Sequence, residues 1–202
     1  SLLRAAFTVR GLTPTSFANV FPVPPGEYYN YGPFPTPNGT GGFANIATGE
    51  GGGDPQFGNQ HLEIFSDYNN TQAHDNGDLV EALSFQEYTL LATDSGTYVL
   101  TFDVKAPVVG GIAPPSTAIA FIKTIDPKAA FATTSNVEVD LSGVDSSGWV
   151  SYSIELAVNA LSLEGQTLQF GFSNKATNND ASALLYDNVV FALDGSVPPP
   201  TG

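Results

Sequence analysis

Apolar side chains fall on every second residue over long stretches of this chain. Tyr98, Leu100, Phe102 and Val104 are separated by positions that include Thr101 and Asp103, and Lys105 follows them. Leu168, Phe170 and Phe172 alternate in the same way with Gln169, Gly171 and Ser173. Strict alternation marks a half-buried strand, one face on a core and the other in water. Read this way, strands fall at residues 5–10, 61–66, 80–91, 96–105, 117–125, 136–141, 149–158, 167–173 and 184–193. Clusters of Gly, Asn, Asp, Ser and Pro separate them, and no long window carries a helical period. The one helical piece expected is a short turn around residues 126–131, after IAFIKTIDP. Eight or nine antiparallel strands of this kind predict an all-β fold, a two-sheet antiparallel β-sandwich, most simply a jelly roll.

Residues 1–195 read as one such domain, and the tail SVPPPTG at 196–202 reads as a stiff, extended linker toward another module. The Pro- and aromatic-rich stretch FPVPPGEYYNYGPFPTPNGTGG reads as chain that crosses the surface and packs its rings on the sheets. There is no internal repeat.

Composition narrows the partners. A length of 202 residues with 42% hydrophobic content is enough for a real core. Twenty acidic against 6 basic residues leave a net charge of −14, which repels nucleic-acid phosphates and anionic membranes. The same balance suits a soluble protein in salty surroundings, or one that holds divalent cations. No run approaches the roughly 18 apolar residues a membrane helix needs. There is no cysteine, hence no disulfide framework or thiol chemistry, and no methionine. The missing initiator fits a processed product or a piece cut from a longer protein, in which any signal peptide is already gone.

The strands FQEYTLL…GTYVLTFDVKA, the central WVSYSIEL, and LQFGFSN…ASALLYDNVVF together resemble jelly-roll carbohydrate-binding modules, especially the group of families 4, 9 and 22. The likeness spans residues 49–193, whereas the first roughly forty residues show no clear Gly-Phe-Glu opening strand of that group. The stretch GFANIATGEGG…LEIFSDYNN looks like a variant found in secreted multidomain bacterial proteins. The resemblance implies one structural calcium where the last strand meets the N-terminal segment, and it maps the aspartate ligand onto Asp187. Glu50, in the Gly-rich loop TGEGGG, is the second candidate ligand and Asp54 the third, since a hard cation takes carboxylates together with backbone carbonyls.

Strand parity then nominates a sugar face. With Tyr98 and Phe102 inward, Asp103 points outward; with Leu83 and Phe85 inward, Ser84 and Gln86 point outward; Gln169 and Ser173 lie opposite Phe170 and Phe172. Lys123 sits inside the apolar strand TAIAFIKTI and calls for a partner, for which Asp103 is the expected carboxylate. Gln86, Asp103, Lys123, Gln169 and Ser173 are thus expected to form one polar stripe whose amides and carboxylates match sugar hydroxyls. The competing reading is a solvated sheet face with one salt bridge. Tyr68 and the adjacent Asn69, in the loop SDYNN, are expected to add a ring to stack on a sugar and an amide to bond it. Trp149 is expected to pack at the core edge.

Catalytic signatures are missing. The run EVDLSG at 138–143 has glycine where a laminarinase-type hydrolase needs its second glutamate. There is no G-x-S-x-G, H-E-x-x-H or Walker loop. The expectation is a non-catalytic carbohydrate-binding module of a secreted, extracellular bacterial protein, monomeric, tethering an enzyme to a polysaccharide. Lys123 favours an acidic or sulfated glycan and the net charge a neutral glucan. The alternative is a calcium-rigidified structural or adhesive sandwich of a cell-surface protein.

Overall fold

The computed structural model describes residues 27–29, 44–47, 61–65, 79–108, 110–176 and 182–194. The expected strand at 5–10 and the candidates Glu50, Asp54, Tyr68 and Asn69 lie outside the described residues. Among the described residues, ten strands form: β1 (Glu27–Tyr29), β2 (Ala44–Ala47), β3 (His61–Phe65), β4 (Leu79–Thr89), β5 (Gly96–Lys105), β6 (Thr117–Asp126), β7 (Ala132–Asp140), β8 (Val150–Val158), β9 (Thr167–Ala176) and β10 (Ala183–Leu193).

Sheet I has the order β1-β4-β9-β6-β7 and sheet II the order β2-β3-β10-β5-β8. Every pairing is antiparallel except β1 with β4, which is parallel. From β3 onward the chain passes back and forth between the sheets, except at the β6–β7 hairpin, and this interleaving makes the sandwich a jelly roll.

That hairpin is built by the segment expected to turn. The Asp126 carboxylate accepts from the backbone N–H of Lys128 at 2.8 Å, Pro127 opens a single 3-10 turn (Pro127–Ala129), and Ala130 and Phe131 take left-handed φ values of 53° and 60°. The sequence had not disclosed the four-residue helix α1 (Ala160–Leu163), which is too short to display a period.

The core lies between the inward rows. Sheet I contributes Ala120 and Ile122 from β6 and Leu168, Phe170 and Phe172 from β9. Sheet II contributes Leu62 and Ile64 from β3, Leu100, Phe102 and Val104 from β5, and Leu184, Tyr186 and Phe191 from β10. Aromatic contacts join the layers: Phe170 stacks on Phe191 at 3.8 Å, Phe172 on Tyr186 at 4.0 Å, and Phe102 meets Phe172 edge-on at 5.1 Å. Each such side chain contributes roughly 1.5–3 kcal/mol through its burial. A buried polar thread runs beside them: Tyr186 Oη bonds Asn174 Oδ1 at 3.4 Å, Asn174 Nδ2 donates to Ser182 Oγ at 3.1 Å, and Ser182 Oγ donates to the Thr117 carbonyl at 2.8 Å.

Candidate functional site

The outer face of sheet I is set by β9, the central strand of the five. Leu168, Phe170 and Phe172 enter the core, so Gln169, Gly171, Ser173 and Lys175 point the other way. The register carries this face across four strands in rows. Phe85 of β4, Gly171 of β9, Phe121 of β6 and Glu138 of β7 form one row. Glu87, Gln169, Lys123 and Asn136 form the next, and Leu83, Ser173, Ile119 and Asp140 lie on the other side of the first. An aromatic row is thus flanked on one side by a row of amides and charges.

Gly171 is what lets the aromatic row close up. A Cβ there would collide with the Ser84 carbonyl oxygen and come within 2.7 Å of Phe85 Cα. The β4 backbone therefore lies against a bare glycine, and Phe85 and Phe121 flank it. Phe121 is 2% exposed, and the Lys123 ammonium lies over its ring at 4.6 Å from the centroid. Burial holds the Lys123 ammonium below its ordinary pKa; Glu81 opposes that shift, Lys175 adds to it, and Glu138 and Glu87 oppose it.

The remaining polar groups are tied into this face. Gln169 Nε2 donates to Glu87 Oε2 at 2.9 Å. Ser173 Oγ donates to Glu81 Oε1, and Lys175 Nζ approaches the same oxygen at 3.8 Å. Asn136 Nδ2 donates to Glu138 Oε2 at 3.2 Å. Glu87, Asn136, Glu138 and Asp140 are exposed, whereas Gln169 and Ser173 are buried beneath their neighbours. The Gln169 Oε1 acceptor is buried with no hydrogen-bond partner.

The expected stripe is therefore only partly assembled. Lys123, Gln169 and Ser173 share one face, as their parity required. Gln86 does not join them: it shares a side of β4 with Ala82, a core residue, and Tyr88, which packs on the core, so Leu83 and Phe85 point outward and Ser84 and Gln86 inward. Asp103 is not the partner of Lys123. It lies on the outer face of sheet II, where Ser151 Oγ donates to its Oδ1 and Asn188 Nδ2 to its Oδ2 at 2.7 Å. Trp149 is half-buried beside β8, its ring edge-on to buried His61 at 6.3 Å.

The sequence reading missed Phe85, Phe121, Glu87 and Glu138. The available signal was a glycine inside the strand LQFGFS, since glycine in a strand interior marks a close approach of another backbone.

On sheet II, Asp187 stands opposite Asp103 in the β5–β10 register. Burial first, and the Asp103 carboxylate as well, push the Asp187 carboxyl up from 3.8 to about 6, against the hydrogen bond from the Asn188 N–H. Asp187 Oδ2 is buried and unpartnered. Two hard carboxylates with a spare buried oxygen fit a calcium ion chemically. Among the described residues, however, no group of three or more His, Cys, Asp or Glu side chains could hold a metal.

No family model matches the sequence, and no curated protein matches it. Several solved structures are similar to this chain. One is the enzymatically active domain of tailspike protein 4 of bacteriophage CBA120, at 12% identity over 74% of this chain and 18% of that one, with a TM-score of 0.48. A second is a family 61 carbohydrate-binding module in complex with beta-1,4-galactotriose, at 12% identity over 75% of this chain and 83% of that one, TM-score 0.41. A third is the CBM22-1 xylan-binding domain from Paenibacillus barcinonensis Xyn10C, at 11% identity over 75% and 82%, TM-score 0.38. Several of the similar structures are carbohydrate-binding modules, of families 61, 16, 4 and 22.

Proposed function

We propose that this chain is a non-catalytic carbohydrate-binding module that holds a polysaccharide on the outer face of sheet I. The observation that carries the reading is the pair of adjacent rows, Phe85–Gly171–Phe121 beside Glu87–Gln169–Lys123–Asn136. A sugar ring has an apolar C–H face and an equatorial belt of hydroxyls. The first packs on an aromatic ring and the second bonds to carboxylates and amides, so neighbouring rows of the two kinds suit a glycan laid across the strands. In this reading the module is secreted and tethers a polysaccharide-degrading enzyme to its substrate, raising local concentration by linkage. Tyr68 and Asn69 remain proposed loop contacts.

The same reading includes a structural calcium at Asp187, for which the unpartnered Oδ2 and the facing Asp103 speak. Glu50 and Asp54 remain the proposed further ligands.

Affinity electrophoresis through gels of xylan, galactan, hydroxyethylcellulose, polygalacturonate and alginate tests the function. Retardation in at least one gel, weakened by Phe85→Ala, is expected. Unchanged migration in every gel favours the second reading, a calcium-rigidified structural sandwich. The burial of Phe121, Gln169 and Ser173 on this face is the observation that favours that alternative.

A further inference from the structure

Whether the face takes an acidic or a neutral glycan is open on sequence grounds, because a lysine in a strand argues one way and the net charge the other. The positions of the charges decide it. Building on the polysaccharide reading above, we propose that the outer face of sheet I selects its ligand by charge, taking glycans that present hydroxyl or amino donors and rejecting uronate and sulfate polymers, with Glu87 and Glu138 as the determinants.

The first ground is the state of the cations. Lys175 is engaged by Glu81 at 3.8 Å, and Lys123 lies over the Phe121 ring within the fields of Glu81, Glu138 and Glu87. Among the described residues of this face, Glu81, Glu87, Glu138 and Asp140 set four carboxylates against the two ammonium groups of Lys123 and Lys175. An anion arriving at either ammonium would stand within the field of these carboxylates. Lys123 serves the aromatic row and balances the carboxylates around it.

The second ground is the kind of hydrogen-bonding capacity left vacant. An ionised carboxylate only accepts, so Glu87 fixes the Gln169 amide with its nitrogen toward the carboxylate and its oxygen turned away. That oxygen is buried and has no partner. Glu87 and Glu138, each accepting one amide proton from within the face, keep further lone pairs on exposed oxygens. Asp140 is held ionised by hydrogen bonds from the Ser142 side chain and N–H. The two ammonium groups keep donors of their own, but the four carboxylates and the buried Gln169 oxygen weight the unfilled capacity toward acceptors. A sugar hydroxyl or ammonium supplies the missing donors; a uronate or sulfate would set acceptor against acceptor and charge against like charge.

The test uses one polymer in two charge states. The neutral polysaccharide that retards the protein most, among xylan, galactan and hydroxyethylcellulose, is compared with its own derivative whose C6 or side-chain hydroxyls have been oxidised to carboxylates. A glucosamine oligomer serves as the cationic arm. Expected is a dissociation constant for the oxidised polymer at least roughly fivefold weaker at low salt, the size of one unscreened contact between like charges in water. The gap is expected to close near 1 M salt, where screening acts within about 3 Å. Glu138→Gln, at an exposed edge position, is expected to narrow the ratio of the two dissociation constants, and Glu87→Gln to narrow it further. Equal or tighter binding of the oxidised polymer, or retardation confined to alginate and polygalacturonate, overturns charge selection and leaves polysaccharide binding standing. Retardation on no polymer at all removes both.

Discussion

Asp103 and Asp187 face each other in register on neighbouring antiparallel strands, 6% and 4% exposed. Like charges directly across a ladder destabilise it, and burial aggravates the cost. The local chain answers in part. A bulge follows Asp187, and Asn188 takes a φ of 49°, which turns its N–H onto Asp187 Oδ1 at 2.7 Å and its side-chain amide onto Asp103 at 2.7 Å. Asp187 Oδ2 remains without a partner.

A cation seated on that oxygen would relieve both the repulsion and the vacancy, which makes the pair a thermometer for calcium. Calcium is expected to raise the melting temperature and EDTA to lower it. Asp187→Asn, which removes one of the two charges at constant shape, is expected to melt higher than the parent in EDTA and to lose the response to calcium. Differential scanning calorimetry on the two proteins, with and without the ion, checks this. A parent melting point indifferent to calcium and EDTA would remove the metal from the proposal.

Gly171 offers a sharper test of the sheet I face. A methyl group there meets the Ser84 carbonyl and the Phe85 backbone, so β4 must move away from β9. Gly171→Ala is expected to cost about 1–3 kcal/mol, the usual range for overpacking, and to weaken polysaccharide retardation because Phe85 moves with its strand. Urea titration gives the first number and gel affinity the second. Full stability with full binding would show that the close approach is unimportant.

The parity of β9 was legible from sequence because its apolar residues lie on one side only. β4 misled for a physical reason: Ala82 and Tyr88 lie on the core side while Leu83 and Phe85 lie outside, so both faces are apolar and alternation alone picks no inside. Asp103 failed differently. Its outward direction was correct, but the assignment of β5 to sheet II and β6 to sheet I depends on pairings between strands far apart in sequence, which no local pattern encodes. The Asp103–Asp187 pairing was hidden for the same reason.

Alkali should unfold the protein through its tyrosines. Burial raises the phenol pKa values of Tyr88, Tyr98 and Tyr186 above the ordinary 10.0. An acid held protonated by the fold ionises first in the unfolded chain. The stability these groups supply is therefore full below pH 10 or so and drains away as the pH climbs beyond it. Lys123, held below its ordinary value, acts in the opposite sense but is one group against three. Phenolate absorbance should accordingly show three of the eight tyrosines ionising only together with loss of the fold. A smooth titration of all eight in a folded protein would contradict the burial described.

Phe85 and Phe170 come from neighbouring strands of one sheet, and Phe85 points out where Phe170 points in. Truncating each separates folding from binding. Phe170→Ala removes a ring stacked at 3.8 Å on Phe191 at the heart of the sandwich and is expected to cost about 3–5 kcal/mol. Phe85→Ala touches a half-buried ring of the outer face and is expected to cost on the order of 1 kcal/mol. The order reverses for the glycan. Phe85→Ala should abolish most of the retardation in a polysaccharide gel, whereas Phe170→Ala, assayed well below its lowered midpoint, should keep it. The contrast matters more than either value, because a binding loss that merely tracked instability would fall hardest on Phe170→Ala. If Phe85→Ala binds as the parent does while both proteins are folded, the aromatic row is not the platform and the glycan must lie elsewhere.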